Sequence, residues 1–474
     1  MKVAICYTPL ASARGKPLLS QNRQFQWYSG LLPYAVYPVV MAAAATLMQK
    51  KGHEVFWMDY IAENKSYEEF VKDFVKLKLD LAVFESKTPV IKKHWKIIND
   101  LKKAGASRRA PTKTKFVLCG DHVSALPSES YKNSKVDKVL IGGDYDILLD
   151  KLVMGRHTGL PLQIDRELTK WKLYAYNNGN YKYTPGAYTM AGRDCWWRPS
   201  FAPSELRKGK QFFGCTFCSW TGLYPKWRVR NAEDFLDEIG YLISLGVKEV
   251  FDDTGTFPVG DWLKKFCFGM IERGYSKKVV MGCNMRAGVL KQEDFNLMKK
   301  AGFRFILFGV ESANNKTLEK INKGLTTEQI ESALKMAKKA GLSPHATIMF
   351  GYPWESLADA QNTIDFAKRL FKEGVIESLQ GTIVIPYPGT KLFEECKKKK
   401  LLRTLDWDKY DMRMPIMKSP IPDEKLKELV RECYSTVLTP RNLIRKIWEI
   451  RNMGDIKYLG FRALKYLSKL GDFS

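Results

Sequence analysis

Gly192-Arg193-Asp194-Cys195 and, after a long loop, Phe213-Gly214-Cys215-Thr216-Phe217-Cys218-Ser219-Trp220 decide how this 474-residue chain is read. Two thiols three positions apart, with a third upstream, can each give a thiolate to one metal centre, and soft sulfur suits zinc or an iron–sulfur cluster. Three cysteines leave a four-coordinate zinc site incomplete unless a histidine joins. None of the five histidines (53, 94, 122, 157, 345) lies in this loop. In a four-iron cluster the same trio leaves one iron open to a substrate, which is chemistry rather than scaffolding. Cys195 stands 20 positions before Cys215, across a loop that carries Arg207, Lys208 and Lys210. A longer loop adds only a modest closure cost.

Working outward, the apolar run Tyr188–Ala191 before the first cysteine opens a βα series. Further strands are expected at Glu249–Asp252, Val279–Gly282, Phe305–Val310, Ala346–Phe350 and Leu379–Ile385, with helices near 231–245, 260–273, 291–301, 326–341 and 357–373. Asn231 and Thr326 read as helix caps. Six strands with intervening helices predict a partial (β/α)6 barrel over 186–390, whose chemistry gathers at the strand C-terminal ends. The cysteine loop follows the first of those strands. Residues 1–154 show the same rhythm with five strands, Val3–Tyr7, Glu54–Met58, Leu81–Phe84, Phe116–Cys119 and Val139–Ile141. This predicts an α/β doubly wound parallel sheet of Rossmann type, with Thr8-Pro9, Gly120-Asp121-His122 and Gly142-Gly143-Asp144 at the ligand-binding strand ends. Residues 155–185, rich in Gly, Asn and Tyr, read as a linker. A basic helical region is expected over 391–474.

Length and composition exclude disorder and a disulfide-stapled secreted scaffold: 45% of residues are hydrophobic and cysteines number only nine. A reducing cytoplasmic setting is the expectation, and MKVAICYTP shows no targeting pattern, so the chain is read as starting inside its fold. The formal charge of +26 favours an anionic partner. The uncharged stretch Leu31–Met48 holds two prolines and reads as a loop and buried helix, with Pro38 at the first helical position. The tail 440–470, with Leu443, Ile444, Ile447, Trp448, Leu459, Leu464 and Leu467 among its basic residues, reads as an amphipathic segment packed on the barrel or lying peripherally on an anionic membrane.

In this arrangement the sequence resembles the radical S-adenosylmethionine enzymes, in the branch with an N-terminal cobalamin-binding domain. The family form is CxxxCxxC. Cys215-Thr216-Phe217-Cys218 keeps its second half, including the aromatic Phe217, and GRDC resembles its start, with nineteen residues in place of three in the first gap. The resemblance implies that Cys195, Cys215 and Cys218 hold a [4Fe-4S] cluster whose open iron chelates S-adenosyl-L-methionine, source of a 5′-deoxyadenosyl radical. It implies contacts to that cofactor from Phe217, Asp252 and Asp253 in FDDTGT, Arg286 in NMR, Glu311 and Ser312 in GVES, and Gly351 in MFGYP, while Tyr387-Pro388-Gly389-Thr390 resembles the segment after the sixth strand. VVMAAAATLMQKKGHEVFWMDY, FVLCGDHVSALP and VLIGGDYD resemble the cobalamin domain. No histidine follows an aspartate by two residues, so cobalamin is expected without a histidine ligand, at Thr8, Pro9, Gly120, Asp121, Gly142 and Gly143.

The implied reaction is cobalamin-dependent methyl transfer to an unactivated carbon, with cyclisation, oxidation or rearrangement as the alternatives within the branch. A small-molecule, lipid or peptide substrate and a reductant such as ferredoxin or flavodoxin complete the expectation. Methylthiotransferases need three N-terminal cysteines for a second cluster, and only Cys6 and Cys119 lie there. A reading of another class is a basic nucleic-acid-binding protein with a structural metal site, although no dedicated nucleic-acid motif is present. Trp196, Trp197, Trp220 and Trp227 either shape a dry pocket or simply pack, and Cys283 reads as a buried inert thiol or one facing the site.

Overall fold

Apolar runs without alternation make strands that are buried on both faces, and the first half of the chain has five of them. They are β1 (Lys2–Tyr7), β2 (Glu54–Asp59), β3 (Leu81–Ser86), β4 (Lys115–Gly120) and the short β5 (Lys138–Val139). All pair in parallel in the order β2-β1-β3-β4-β5. The order reverses between β1 and β3, and the C-terminal ends there open a crevice. The computed structural model describes residues 1–10, 12, 15–20, 25–28, 34–106, 114–155, 163–176, 178, 181–197, 214–224, 227–437, 439, 444, 446–448, 450 and 453–471. Most of the expected insertion, including Arg207, Lys208 and Lys210, and also Leu443, lie outside them.

Six parallel strands form the second sheet in sequence order: β6 (Gly186–Thr189), β7 (Glu249–Asp252), β8 (Val280–Met285), β9 (Phe303–Glu311), β10 (Ser343–Phe350) and β11 (Ser378–Ile383). Among the described residues no pairing joins β11 back to β6, so the barrel is open. Asn231 and Thr326 cap their helices as expected, through side-chain oxygens that accept from the backbone N–H of Glu233 and Gln329. Several boundaries differ from the sequence reading: β5 is Lys138–Val139 where Val139–Ile141 is expected, β9 and β10 begin earlier, at Phe303 and Ser343, and β11 is Ser378–Ile383 where Leu379–Ile385 is expected. β6 ends at Thr189, releasing Met190 and Ala191 into the cysteine-bearing loop; β8 runs on to Met285; and Pro38 precedes its helix, Val39–Lys50, as the N-cap. No helix among the described residues is long and apolar enough to cross a membrane.

The segment joining the two sheets carries one buried tie between them. Arg166, 1% exposed, donates from Nη2 to Glu238 Oε1 at 2.9 Å and lies 4.6 Å from the centroid of the Tyr37 ring. Burial works against the charge of Glu238, but the guanidinium groups of Arg230 and Arg166 hold its pKa below the ordinary value. Thr189 Oγ1 donates to the same Oε1 at 2.8 Å, so this carboxylate also fixes the end of β6.

Gly120 ends β4 at φ 131°, and a Cβ there would stand 1.9 Å from the Ser86 carbonyl oxygen of β3. Gly120→Ala is therefore expected to cost about 2 kcal/mol or more. Gly246→Ala, at φ 83° with nothing within 4 Å, carries only the dihedral penalty, about 1 kcal/mol. Denaturant midpoints of the two variants check the contrast, and equal losses would show that the contact between β3 and β4 relaxes freely.

Candidate active site

The first cysteine is brought to the others by a stitch between two strand ends. Asp252, at the end of β7 and fully buried, accepts from the backbone N–H of Ala191 at 2.6 Å and of Thr254 at 3.1 Å. The Gly192 N–H donates to Thr254 Oγ1 at 2.9 Å. Cys195 then lies with Sγ 3.1 Å from Thr256 Oγ1 and accepts from the Trp197 N–H at 3.4 Å. The CxxC loop is braced separately. The Thr216 N–H donates to the Ile321 carbonyl, the Thr216 carbonyl accepts from the Leu392 N–H, and Asn322 Nδ2 donates to the Gly214 carbonyl.

These braces turn Cys195, Cys215 and Cys218 onto the wall of one cavity of about 310 Å³. Among the described residues no three His, Cys, Asp or Glu side chains meet at a point as a single metal ion requires. A cubane makes no such demand, since its cysteines bind separate irons. Burial pushes the Cys195 and Cys218 thiols up in pKa, the Thr256 hydroxyl opposing this at Cys195. Such thiols become ligands when a metal takes the place of the proton.

Of the residues assigned to S-adenosyl-L-methionine, Phe217, Arg286 and Glu311 line the cavity. Arg286 follows β8 at 6% exposure, its guanidinium 4.0 Å from the Trp197 ring centroid and 5.9 Å from that of Trp196, and its Nη2 has no hydrogen-bond partner among the described residues. Burial lowers its pKa, while the nearby Cys215 and Cys195 sulfurs oppose the shift. Glu311 sits at φ 65°, beside the register shift between β9 and β10, and accepts from Lys323 Nζ at 2.8 Å. A strained backbone of this kind costs about 1–3 kcal/mol and persists where surrounding contacts enforce it. Gly309 leaves the room: a Cβ there would meet Glu311 Oε1 at 2.3 Å.

The other assignments fall elsewhere. Asp252 is spent on the stitch, and burial lifts its pKa to about 7 against those backbone donors. Asp253 is buried, with Asn284 Nδ2 3.5 Å from its Oδ1. Ser312 Oγ lies 3.3 Å from Thr363 Oγ1 and accepts from the Asn314 N–H. Gly351, at φ 93°, donates its N–H to Glu355. Cys283 is buried and outside the cavity lining, with its thiol pKa raised by burial. Trp220 lines the cavity, whereas Trp227 packs near Gly192. The sequence reading missed Thr256, Asn284, Lys323, His345, Gln380 and Thr382, all on the wall. Their signal is the period of two: His345 and Thr347 on β10, and Gln380 and Thr382 on β11, put polar groups on alternate positions of otherwise apolar strands.

A second cavity, of about 140 Å³, opens where the first sheet meets the barrel. Lys87 and Asp121, paired at 3.2 Å, face Tyr387 and Met412 across it, and Phe217, Cys218, Trp220 and Met349 line both cavities. Of the residues assigned to cobalamin, only Asp121 lines it. Thr8, at the end of β1, is fully buried, and its Oγ1 lacks a hydrogen-bond partner among the described residues, while Pro9 beside it is half-buried. Gly142 and Gly143 serve the contact between the units: the Gly143 N–H donates to the Leu223 carbonyl at 2.9 Å.

Comparison with known proteins bears on the family and the fold. The family model described as the Radical SAM superfamily matches residues 212–367, beginning after Cys195. An uncharacterized methyltransferase of Pyrococcus horikoshii is 27% identical over 87% of this chain and 90% of its own. Among solved structures, the radical S-adenosylmethionine methyltransferase TsrM of Kitasatospora setae, with cobalamin and a [4Fe-4S] cluster bound, superposes with a TM-score of 0.61 at 14% identity, over 85% of this chain and 79% of that one. The cobalamin-dependent S-adenosylmethionine radical enzyme OxsB, with aqua-cobalamin and S-adenosylmethionine bound, gives 0.67 at 13%, over 99% and 71%. Residues 212–367 therefore match the Radical SAM superfamily, within a chain whose fold resembles that of the solved cobalamin-dependent enzymes.

Proposed function

We propose that this chain is a radical S-adenosylmethionine enzyme that transfers a methyl group to an unactivated carbon, with a [4Fe-4S] cluster, S-adenosyl-L-methionine and cobalamin as cofactors. The observation that carries the reading is the cavity in which three thiols share a wall with a buried guanidinium that has an unused donor. When bound, the three cofactors supply the reducing electron, the radical chemistry and the transferable methyl group.

The chain's own residues then have distinct tasks. Cys195, Cys215 and Cys218 would hold the cluster. Arg286 would receive the methionyl carboxylate in a charge-assisted, bidentate contact, the arrangement that best offsets burying a guanidinium. The Glu311–Lys323 pair would present a polar face to the ribose, and Phe217 an apolar one to the nucleoside. Trp196 and Trp197 flank Arg286 and keep water from that end of the cavity. The small-molecule substrate would occupy the remainder, among His345, Gln380 and Thr382.

Cobalamin fits the second cavity in kind. Lys87 and Asp121 would offer it polar contacts, while Thr8 and Gly120 lie outside the lining of this cavity. A corrinoid far exceeds 140 Å³, so it would fill this space and extend over the neighbouring strand ends. The shared wall of Phe217, Cys218, Trp220 and Met349 favours methyl transfer over the other outcomes, because it sets the two cofactor spaces next to each other. Electrons would come from a ferredoxin or flavodoxin.

Anaerobic reconstitution tests the thiols. The parent should bind about four irons per chain, as a [4Fe-4S] centre requires, and release 5′-deoxyadenosine. Cys195→Ala, Cys215→Ala and Cys218→Ala should each lose both. Zinc uptake without nucleoside would favour the structural-metal reading, and a Cys195→Ala protein with full iron content would remove that residue from the trio.

Arg286→Ala should keep its iron yet bind S-adenosyl-L-methionine about 10- to 100-fold more weakly, the worth of one charged hydrogen-bonding partner. Arg286→Lys should recover only part of that loss, because a point charge does not reproduce a fork. Equilibrium binding of labelled cofactor to the reconstituted protein measures both, and unchanged affinity in Arg286→Ala would dismiss the assignment.

A further inference from the structure

The helix Met453–Gly471 is amphipathic in the reverse sense for a surface helix. Its polar side faces the protein. Asp455 is buried and paired with Lys182 at 2.9 Å; Arg462 donates to the Tyr458 hydroxyl at 2.9 Å and the Tyr466 hydroxyl at 3.2 Å; and Lys465 Nζ lies 4.6 Å from the Tyr34 ring centroid. Its outer side is apolar. Met453 is 76% exposed, Ile456 47%, Leu464 54% and Leu467 54%, and with Gly460 they recur at spacings of three and four, which places them on one face. Lys457 is the one exposed charged residue among the described positions of this helix. Just before it, Ile444, Ile447 and Trp448 add to the apolar surface, Trp448 at 80% exposure.

Large exposed apolar side chains along one helix face, with an exposed tryptophan just before it in sequence, mark an interaction surface rather than chance exposure. Charge identifies the occupant. Residues 438–474 carry eight Lys and Arg against three Asp and Glu, and the whole chain stands at +26. Two copies meeting through this face would bring like charges together, whereas an anionic surface would attract them. Tryptophan with leucine and isoleucine, set among lysine and arginine on a helix too polar to span, is the composition that settles at a bilayer interface. We infer that this C-terminal helix and the apolar residues before it seat the protein on an anionic lipid bilayer.

The orientation joins this surface to the candidate site. Lys465, on the inner side of the same helix, lines the 310 Å³ cavity, so the helix is at once a wall of that cavity and the surface set against lipid. The inference does not depend on the proposed reaction, because it uses no cofactor.

The test is sedimentation of the full-length protein with vesicles of phosphatidylcholine alone or of phosphatidylcholine with phosphatidylglycerol. Binding is expected to the anionic vesicles and to weaken with salt. The double variant Ile456→Glu/Leu464→Glu should bind them about tenfold or more weakly, since two buried apolar side chains become charges at the interface. Its melting curve should match the parent's, because both side chains face out. Ile456→Leu/Leu464→Met should bind as the parent does. Equal binding to both vesicle types, no binding to either, or full binding by the glutamate variant would overturn the inference. A parent that is dimeric by light scattering, and monomeric with those glutamates, would assign the face to a second copy instead.

Discussion

The placement of Cys195 at the candidate site depends on the carboxylate of Asp252. A cysteine twenty positions away in sequence cannot share a cavity wall with a CxxC loop unless the backbone before it is pinned, and Asp252 does this by accepting from Ala191 and Thr254 at once. Both donors belong to loops that leave adjacent parallel strands, β6 and β7, so one side chain holds two strand ends in register beyond the last ladder pair, Asp252 and Thr189. Thr254 repeats the stitch through Gly192, and Thr256 reaches the thiol of Cys195. The intervening residues can then vary in number without moving the sulfur, because the position of Cys195 is set from its N-terminal side. On the proposed assignment of Cys195 to the cluster, this would let nineteen residues stand where the family form has three.

How much of this was legible follows from what each signal encodes. Apolar runs and helical periods report burial, so both sheets, their parallel sense and most helices could be read directly; the five-strand and six-strand orders agree with that reading. The cysteines were legible because their chemistry is tied to spacing. The aspartates were not, because sequence places Asp252 and Asp253 at a strand end without saying which way a carboxylate turns. Backbone donors decide that, and they took Asp252 for the scaffold. Ser312 and Gly351 went the same way, to Thr363 and Glu355. Conversely, Lys323 reaches the cavity only because β9 bulges at Glu311 and Gly309 yields space, a three-residue coincidence that no linear pattern announces.

Arg286 shows how a site can hold energy in reserve. A buried guanidinium without a full set of acceptors is costly, and its aromatic neighbours offset only part of that cost. The Trp197 face supplies attraction without accepting a hydrogen bond, so it steadies the plane of the group while leaving Nη2 unsatisfied. An anionic ligand that supplies acceptors would thus be favoured by more than its own charge provides, since it would satisfy a buried donor that no described residue satisfies. The neighbouring thiols set a limit to this: as thiolates they would compete for the same cation, and metal ligation, by drawing off their charge, would leave Arg286 to the ligand.

The C-terminal helix extends the same logic from a side chain to an element. Arg462 and Lys465 turn inward, where two tyrosine hydroxyls accept from Arg462 and the Tyr34 ring lies beside Lys465, and Tyr466 reaches toward the Leu379 carbonyl on β11. With Asp455, Arg462 and Lys465 used on the barrel side, the helix presents mainly apolar side chains outward, Lys457 beside them. A helix that merely closed the barrel would gain more from the opposite orientation, burying Ile456, Leu464 and Leu467 and leaving the charges in water. The sequence fits the observed orientation better than that alternative, because Asp455, Arg462 and Lys465 lie on the side of the helix away from the aliphatic stripe, where Lys182, the tyrosines and the cavity wall engage them. An element built this way would find an apolar far side at a lipid surface, while Lys465 holds its inner side at the cavity wall.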